Sequence, residues 1–185
     1  TILLVRCFLR MPVGMQAGQM ARNHPLFHTY TNIQNLRNFP DKLAYGEPLV
    51  VTEKIHGTNS RVGWVKMRCS MEEGVEKLER VVGTHKTQRM PEDCGVYVLP
   101  LELYGEALEE LLKWAMILDN LESIIVFGEI YGAGVQDLHY GQKKEKGYRV
   151  FDIAVNGQYL SWQSIRYLAD LVGLPLVPVL ATGVF

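Results

Sequence analysis

Glu53-Lys54-Ile55-His56-Gly57-Thr58-Asn59 gathers a lysine amine, a carboxylate, an imidazole and a glycine turn into one short stretch. The apolar run Pro48-Leu49-Val50-Val51 leads into it and reads as a buried strand. A lysine at the mouth of a strand, beside a glycine that lets the backbone approach a ligand, suits a nucleophile. An ordinary lysine titrates near about 10.4, so that role needs burial at the strand end, or a cation close by, to lower it. A bare K-x-x-G is more often a strand running into a polar turn. Here the motif is longer, and other blocks accompany it.

Glu129 lies in Val126-Phe127-Gly128-Glu129-Ile130-Tyr131-Gly132, after an apolar run where an unpaired carboxylate would be costly. Tyr148-Arg149-Val150-Phe151-Asp152-Ile153 sets an aromatic beside an acid. Strand alternation there puts Asp152 on the face opposite Phe151, with a partner to hold. A phenylalanine in a strand is ordinarily core, and only the adjoining acid and the upstream blocks suggest a ligand. Asn59 offers an amide for a phosphate oxygen or a metal-bound water, although Gly-Thr-Asn is also ordinary turn chemistry. Glu53 reads equally as a ligand contact or a solvated edge carboxylate. Val81-Val82-Gly83-Thr84-His85-Lys86-Thr87-Gln88-Arg89 is either a strand entering a basic loop or a phosphate contact through Thr84, Lys86 or Arg89. The basic run from Gln142 to Arg149 reads first as a solvated turn, with an RNA backbone contact as the alternative. Before it, Gly132, Gly134, Gln136 and Tyr140 suggest a tight connection.

The lysine motif, the Glu129 block and the Phe151-Asp152 block, in that order between about Pro25 and Val155, resemble the ATP-dependent RNA ligases of the covalent nucleotidyltransferase superfamily. His56, where DNA ligases and capping enzymes usually carry Asp, together with Thr58-Asn59 points to the RNA ligase branch. The resemblance implies a lysine–AMP phosphoramidate on Lys54, with pyrophosphate leaving. It also implies transfer of AMP to a 5′-phosphate RNA end and sealing to a 3′-OH. ATP and Mg²⁺ or Mn²⁺ follow as cofactors. Glu53, Ile55, Asn59, Thr84, Glu129 and Phe151 are implied ATP-binding residues, with Glu53 reading adenine and Phe151 stacking on it. Glu129 is the implied metal ligand. His56, which could orient the turn, and Lys86, Arg89 and Asp152 are possible phosphate or RNA contacts. The family continues with a Glu-Gly strand and a Lys-x-Lys strand, neither of which occurs after Phe151. The expectation is therefore a core truncated on its C-terminal side. The alternative function is a non-catalytic nucleotide- or RNA-end-binding module that kept the pocket.

To hold these residues, the chain offers apolar runs near 48–54, 60–67, 79–84, 95–99, 124–131 and 148–155 that read as strands. Two amphipathic helices are expected, from Tyr104 to Leu118 and from Ser161 to Val172, the second with Ser161 as N-cap and Gly173 just past its end. Thr31 to Arg37 reads as a short helix or turn. The fold class is α+β, two mainly antiparallel sheets with flanking helices, and the resemblance makes it a nucleotidyltransferase (adenylation) core with ATP between the sheets. Residues 1–24 read as a linker or the remnant of an upstream module, and 25–185 as the adenylation domain. At 185 residues, 48% apolar and 21% charged, this is one ordinary globular domain. A net charge of −1 supplies no global field for nucleic acid. Cys7, Cys69 and Cys94 lack metal-ligand spacing and suit a reducing, cytoplasmic setting. No apolar run is long enough to span a bilayer.

Overall fold

A computed structural model describes residues 18–68 and 76–185. Its strands are β1 (Met20–Ala21), β2 (Pro48–Thr52), β3 (Thr58–Arg68), β4 (Glu76–Thr84), β5 (Gln88–Arg89), β6 (Ser123–Gly132), β7 (Lys146–Val155), β8 (Gln158–Tyr159) and β9 (Val179–Val184). Two α-helices interrupt them, α1 (Leu99–Ala115) and α2 (Trp162–Val172). Seven strands form one antiparallel sheet in the order β1-β5-β4-β3-β6-β7-β8, and β2 pairs with β9 in a second, two-stranded sheet. The architecture is α+β, as expected.

Side-chain alternation on β3 and β6 divides the large sheet into two chemically different faces. Val62, Trp64, Ile124, Val126 and Ile130 point one way, into a core closed by Leu108, Leu111 and Ala115 of α1 and by Ile165, Leu168 and Ala169 of α2. Ser161 caps α2 by accepting from the Ser164 N–H, and Gly173 closes it at φ 80°. On the opposite face Val65, Val81, Ile125 and Phe127 meet Phe27 and the partly buried Leu26 and Tyr30. The segment before β2 thus covers part of the face that neither α1 nor α2 covers.

Several expectations change. Residues 95–99 are a 3-10 turn, Gly95–Val98, running into α1, which begins five residues before the expected Tyr104. Pro100 stands in that first turn, where its missing N–H costs nothing. The stretch 31–37 gives only a 3-10 turn at Leu36–Asn38, capped by the Asn35 side chain. β9 was not expected at all. Of the cysteines, Cys94 is buried and its Sγ donates to the Met90 carbonyl at 3.2 Å, while Cys7 and Cys69 lie outside the described residues. Residues 1–17 of the expected linker lie outside them as well. No helix among the described residues is long and apolar enough to cross a membrane.

Candidate active site

The open face of the large sheet carries a cross-strand row, because Asn59 pairs with Glu129 and Glu129 with Arg149 in register. Residues directly opposite share a face, so these three side chains stand side by side on β3, β6 and β7. Over this row lies the segment 53–57, which joins the small sheet to the large one. It belongs to no strand, yet its backbone is held. The Glu53 N–H donates to the Pro178 carbonyl at 2.8 Å, the His56 N–H to the Tyr140 hydroxyl at 2.7 Å and the Gly57 N–H to Glu129 Oε1 at 3.1 Å. Ile55 is buried with Tyr131 and Val177. Gly57 is obligatory, since a Cβ there would lie 2.0 Å from the Ile130 carbonyl oxygen. Lys54 and His56 are exposed. Of the two means offered for lowering that amine, burial at a strand end or a cation close by, the first does not occur, because β2 stops at Thr52 and Ile55 takes the buried place.

Burial pushes the Glu129 carboxyl up to about 7, against the opposing pull of Lys54 and of the Gly57 N–H. An acid held above its unfolded value of 4.5 binds a proton in the folded state that the unfolded chain has released. Stability should therefore fall as pH rises from about 4.5 to about 7 and then level off. With the group partly exposed, the loss should be about 1–2 kcal/mol. Urea denaturation across that range should show this slope, and Glu129→Gln should remove it. An unchanged slope in the variant would assign it to other groups. The Asn59 Oδ1, opposite Glu129, is buried with no hydrogen-bond partner among the described residues.

β7 carries a bulge: Phe127 pairs with Asp152 and Gly128 with Val150, leaving Phe151 as the extra residue. This corrects the simple alternation expected for Asp152. The added residue lets Val150 and Ile153 both face the helices, while Phe151 and Asp152 both meet Tyr30. The Tyr30 ring stands edge-on to Phe151 with centroids 5.0 Å apart, and its hydroxyl donates to Asp152 Oδ2 at 2.9 Å. Asp152 also accepts from the Ile153 N–H, so its acceptors are engaged within the protein.

The 84–89 block is structural in its main features. Thr84 Oγ1 accepts from the Lys86 and Thr87 N–H groups and so closes the turn. Arg89 is buried, lies 5.3 Å from the Tyr97 ring centroid and donates to the Gly18 carbonyl. Lys86 is exposed, as are Lys143 and Lys144 of the basic run.

Sequence reasoning missed Arg61, fully buried on the same face as Asn59. Its Nε donates to the Thr84 carbonyl and its Nη1 to the carbonyls of Phe27 and His28, both at 2.7 Å. The guanidinium carbon lies 4.3 Å from the centre of the Phe27 ring. Burial lowers this guanidinium to about 10, so it stays charged at neutral pH. A charge inside the run Ser60 to Val65 was the available signal. Tyr30 offered none, because its partner Asp152 is more than a hundred residues away in sequence.

This fold is that of ATP-dependent RNA ligases of known structure. The Naegleria gruberi RNA ligase with PPi matches at TM-score 0.69 and 17% identity over 95% of this chain and 49% of that one. A mutant of that ligase with ATP and Mn matches at TM-score 0.68 and 17% identity, over 90% and 47%. An archaeal ATP-dependent RNA ligase matches at TM-score 0.58 and 19% identity, over 84% and 38%. The chain spans about half the length of the Naegleria structures. Residues 47–185 match the RNA ligase family model, and the chain belongs to that family. No curated protein matches it significantly.

Proposed function

We propose that this chain carries the nucleotide-charging site of an ATP-dependent RNA ligase. Lys54 Nζ attacks the α-phosphorus of ATP. An N–P bond forms, the bond to pyrophosphate breaks and the amine proton passes to solvent. The AMP then moves to a 5′-phosphate RNA end, which is sealed to a 3′-OH. The observation that carries this reading is the segment 53–57 folded onto Glu129: the Gly57 N–H bonds that carboxylate, the exposed Lys54 favours its ionised form, and Asn59, in register with it, keeps a buried amide oxygen without a partner among the described residues. Two hard oxygens suit a divalent cation that takes its remaining ligands from phosphates and water. Glu129 and Asn59 would hold Mg²⁺ or Mn²⁺, which when bound supplies charge neutralisation on the phosphates. The Naegleria ligase solved with ATP and Mn supports the same pairing of nucleotide and metal.

In this reading Phe151 stacks on adenine and Tyr30 steadies its ring from the side. Phe151→Ala should weaken ATP binding by about 1–3 kcal/mol, while Phe151→Trp should be tolerated better. Titration of ATP into each folded variant checks this. An unchanged affinity would make Phe151 a packing residue only.

The reading as a whole is tested by incubating the protein at its natural length with ATP, Mg²⁺ and RNA bearing 5′-phosphate and 3′-OH ends. A sealed product is expected. ATP binding with neither adduct nor sealing would favour a nucleotide- or RNA-end-binding module.

A further inference from the structure

We propose that Tyr140 is a positioning residue for Lys54, holding the nucleophile's segment in place through the His56 N–H; the proposal rests on Lys54 being the nucleophile. The segment 53–57 gains nothing from strand pairing, so its shape depends on the few groups that reach it. On the side following Lys54 these are Glu129, which bonds the Gly57 N–H, and Tyr140, whose hydroxyl accepts from the His56 N–H at 2.7 Å. Gln136 adds a long contact of 3.5 Å from Nε2 to the Gly57 carbonyl. Of these the Tyr140 contact is the shortest. The Tyr140 ring is itself fixed, edge-on to Tyr131 with centroids 5.5 Å apart, and Tyr131 packs on the buried Ile55. A rigid aromatic thus spans from the connection after β6 to the backbone two residues beyond Lys54.

The backbone of Tyr140 supplies the second observation. His139 to Gln142 is a tight turn closed by the Gln142 N–H on the His139 carbonyl at 2.8 Å. Its two central residues, Tyr140 and Gly141, have φ of 50° and 82°. Two successive positive φ values favour Asn, Asp or Gly at both places. Tyrosine is a poor choice for such a turn, and strained residues of this kind gather at functional sites. What the tyrosine adds, and asparagine could not, is the reach to His56. The turn is therefore built against local preference in favour of the segment that carries Lys54.

Two variants separate positioning from folding. Tyr140→Phe keeps the ring and deletes only the acceptor. Tyr140→Asn suits the turn better and removes the reach. Amide-resolved hydrogen exchange should show faster exchange at His56 in both. The thermal midpoint should be little changed in Tyr140→Phe and unchanged or raised in Tyr140→Asn. With the protein at its natural length, the rate of lysine–AMP formation at saturating ATP should fall about tenfold in Tyr140→Phe, the loss of one hydrogen bond. ATP affinity should stay the same. Unchanged exchange at His56, or a loss confined to ATP affinity, would overturn the proposal. So would an unaltered rate beside faster exchange. A wild-type protein that forms no adduct on Lys54 would instead sink the ligase reading and, with it, any positioning role for Tyr140.

Discussion

Lys54→Ala should abolish the covalent nucleotide adduct while leaving the protein folded and able to bind ATP. Lys54 is exposed, so its truncation opens no cavity. The adduct, by contrast, cannot form without the amine. Loss of a nucleophile commonly costs on the order of 10⁴-fold or more in rate. Incubation with α-labelled ATP and Mg²⁺, followed by mapping of the labelled peptide, should place the label on Lys54 alone in the wild type. Lys54→Arg should fail as completely, since charge is retained but the nucleophile is lost. Label on Lys66 or Lys86 would refute the assignment. A secondary effect follows from electrostatics. Lys54 favours the ionised form of Glu129, so in Lys54→Ala that carboxyl should titrate above about 7.

Arg61→Met should destabilise the protein by about 3 kcal/mol, although it removes a buried charge that has no carboxylate partner among the described residues. Two effects compete. Deleting the guanidinium relieves its desolvation, which in buried ion pairs can make an apolar replacement neutral or even favourable. That relief requires both partners to go. Here the partners are the carbonyls of Thr84, Phe27 and His28, and main chain cannot be deleted. Each acceptor left dry costs about 1–3 kcal/mol, so three of them outweigh the relief. The contact with the Phe27 ring is lost as well. Equilibrium urea unfolding measures the change. Limited proteolysis should also cut earlier around residues 22–30, since Arg61 ties that segment to the sheet. A variant as stable as wild type would mean that desolvation, not the three acceptors, dominates at this site.

How much of this was legible in the sequence depends on the range of the interaction. The apolar alternation of β3, β6 and β7 and the two helix faces are local patterns, and they placed Lys54, Glu129 and Phe151 on or beside a common sheet. Residues 95–99 misled because Gly95-Val96-Tyr97-Val98 has a strand's composition, while Pro100 just after it starts a helix. β9 was missed because Pro175 and Pro178 break the apolar run before it and its partner β2 is far away in sequence. The bulge at Phe151 has no local signature, so a period of two misplaced Asp152. The buried role of Arg89 and the turn-closing role of Thr84 depend on Gly18, Tyr97 and the backbone of 86–87, which no motif announces. Tyr30 and Tyr140 belong to the same class, being fixed by contacts that only the tertiary fold creates.

The pairing of β2 with β9 also bears on the order in which the protein assembles. Pro48 lies opposite Val184, so the ladder that carries the chain into Lys54 joins segments far apart in the chain. Closing so long a loop is entropically slow, and little outside that ladder rewards it early. The β3–β4 hairpin and the helices, built from nearer contacts, should form first. During synthesis Lys54 therefore emerges long before the strand that anchors its segment. Until residues 178–184 leave the ribosome, the Glu53 N–H has no Pro178 carbonyl to donate to and the segment around Lys54 is untethered on that side. A nascent chain would thus display Lys54 early and, on the proposed mechanism, become able to use it only late.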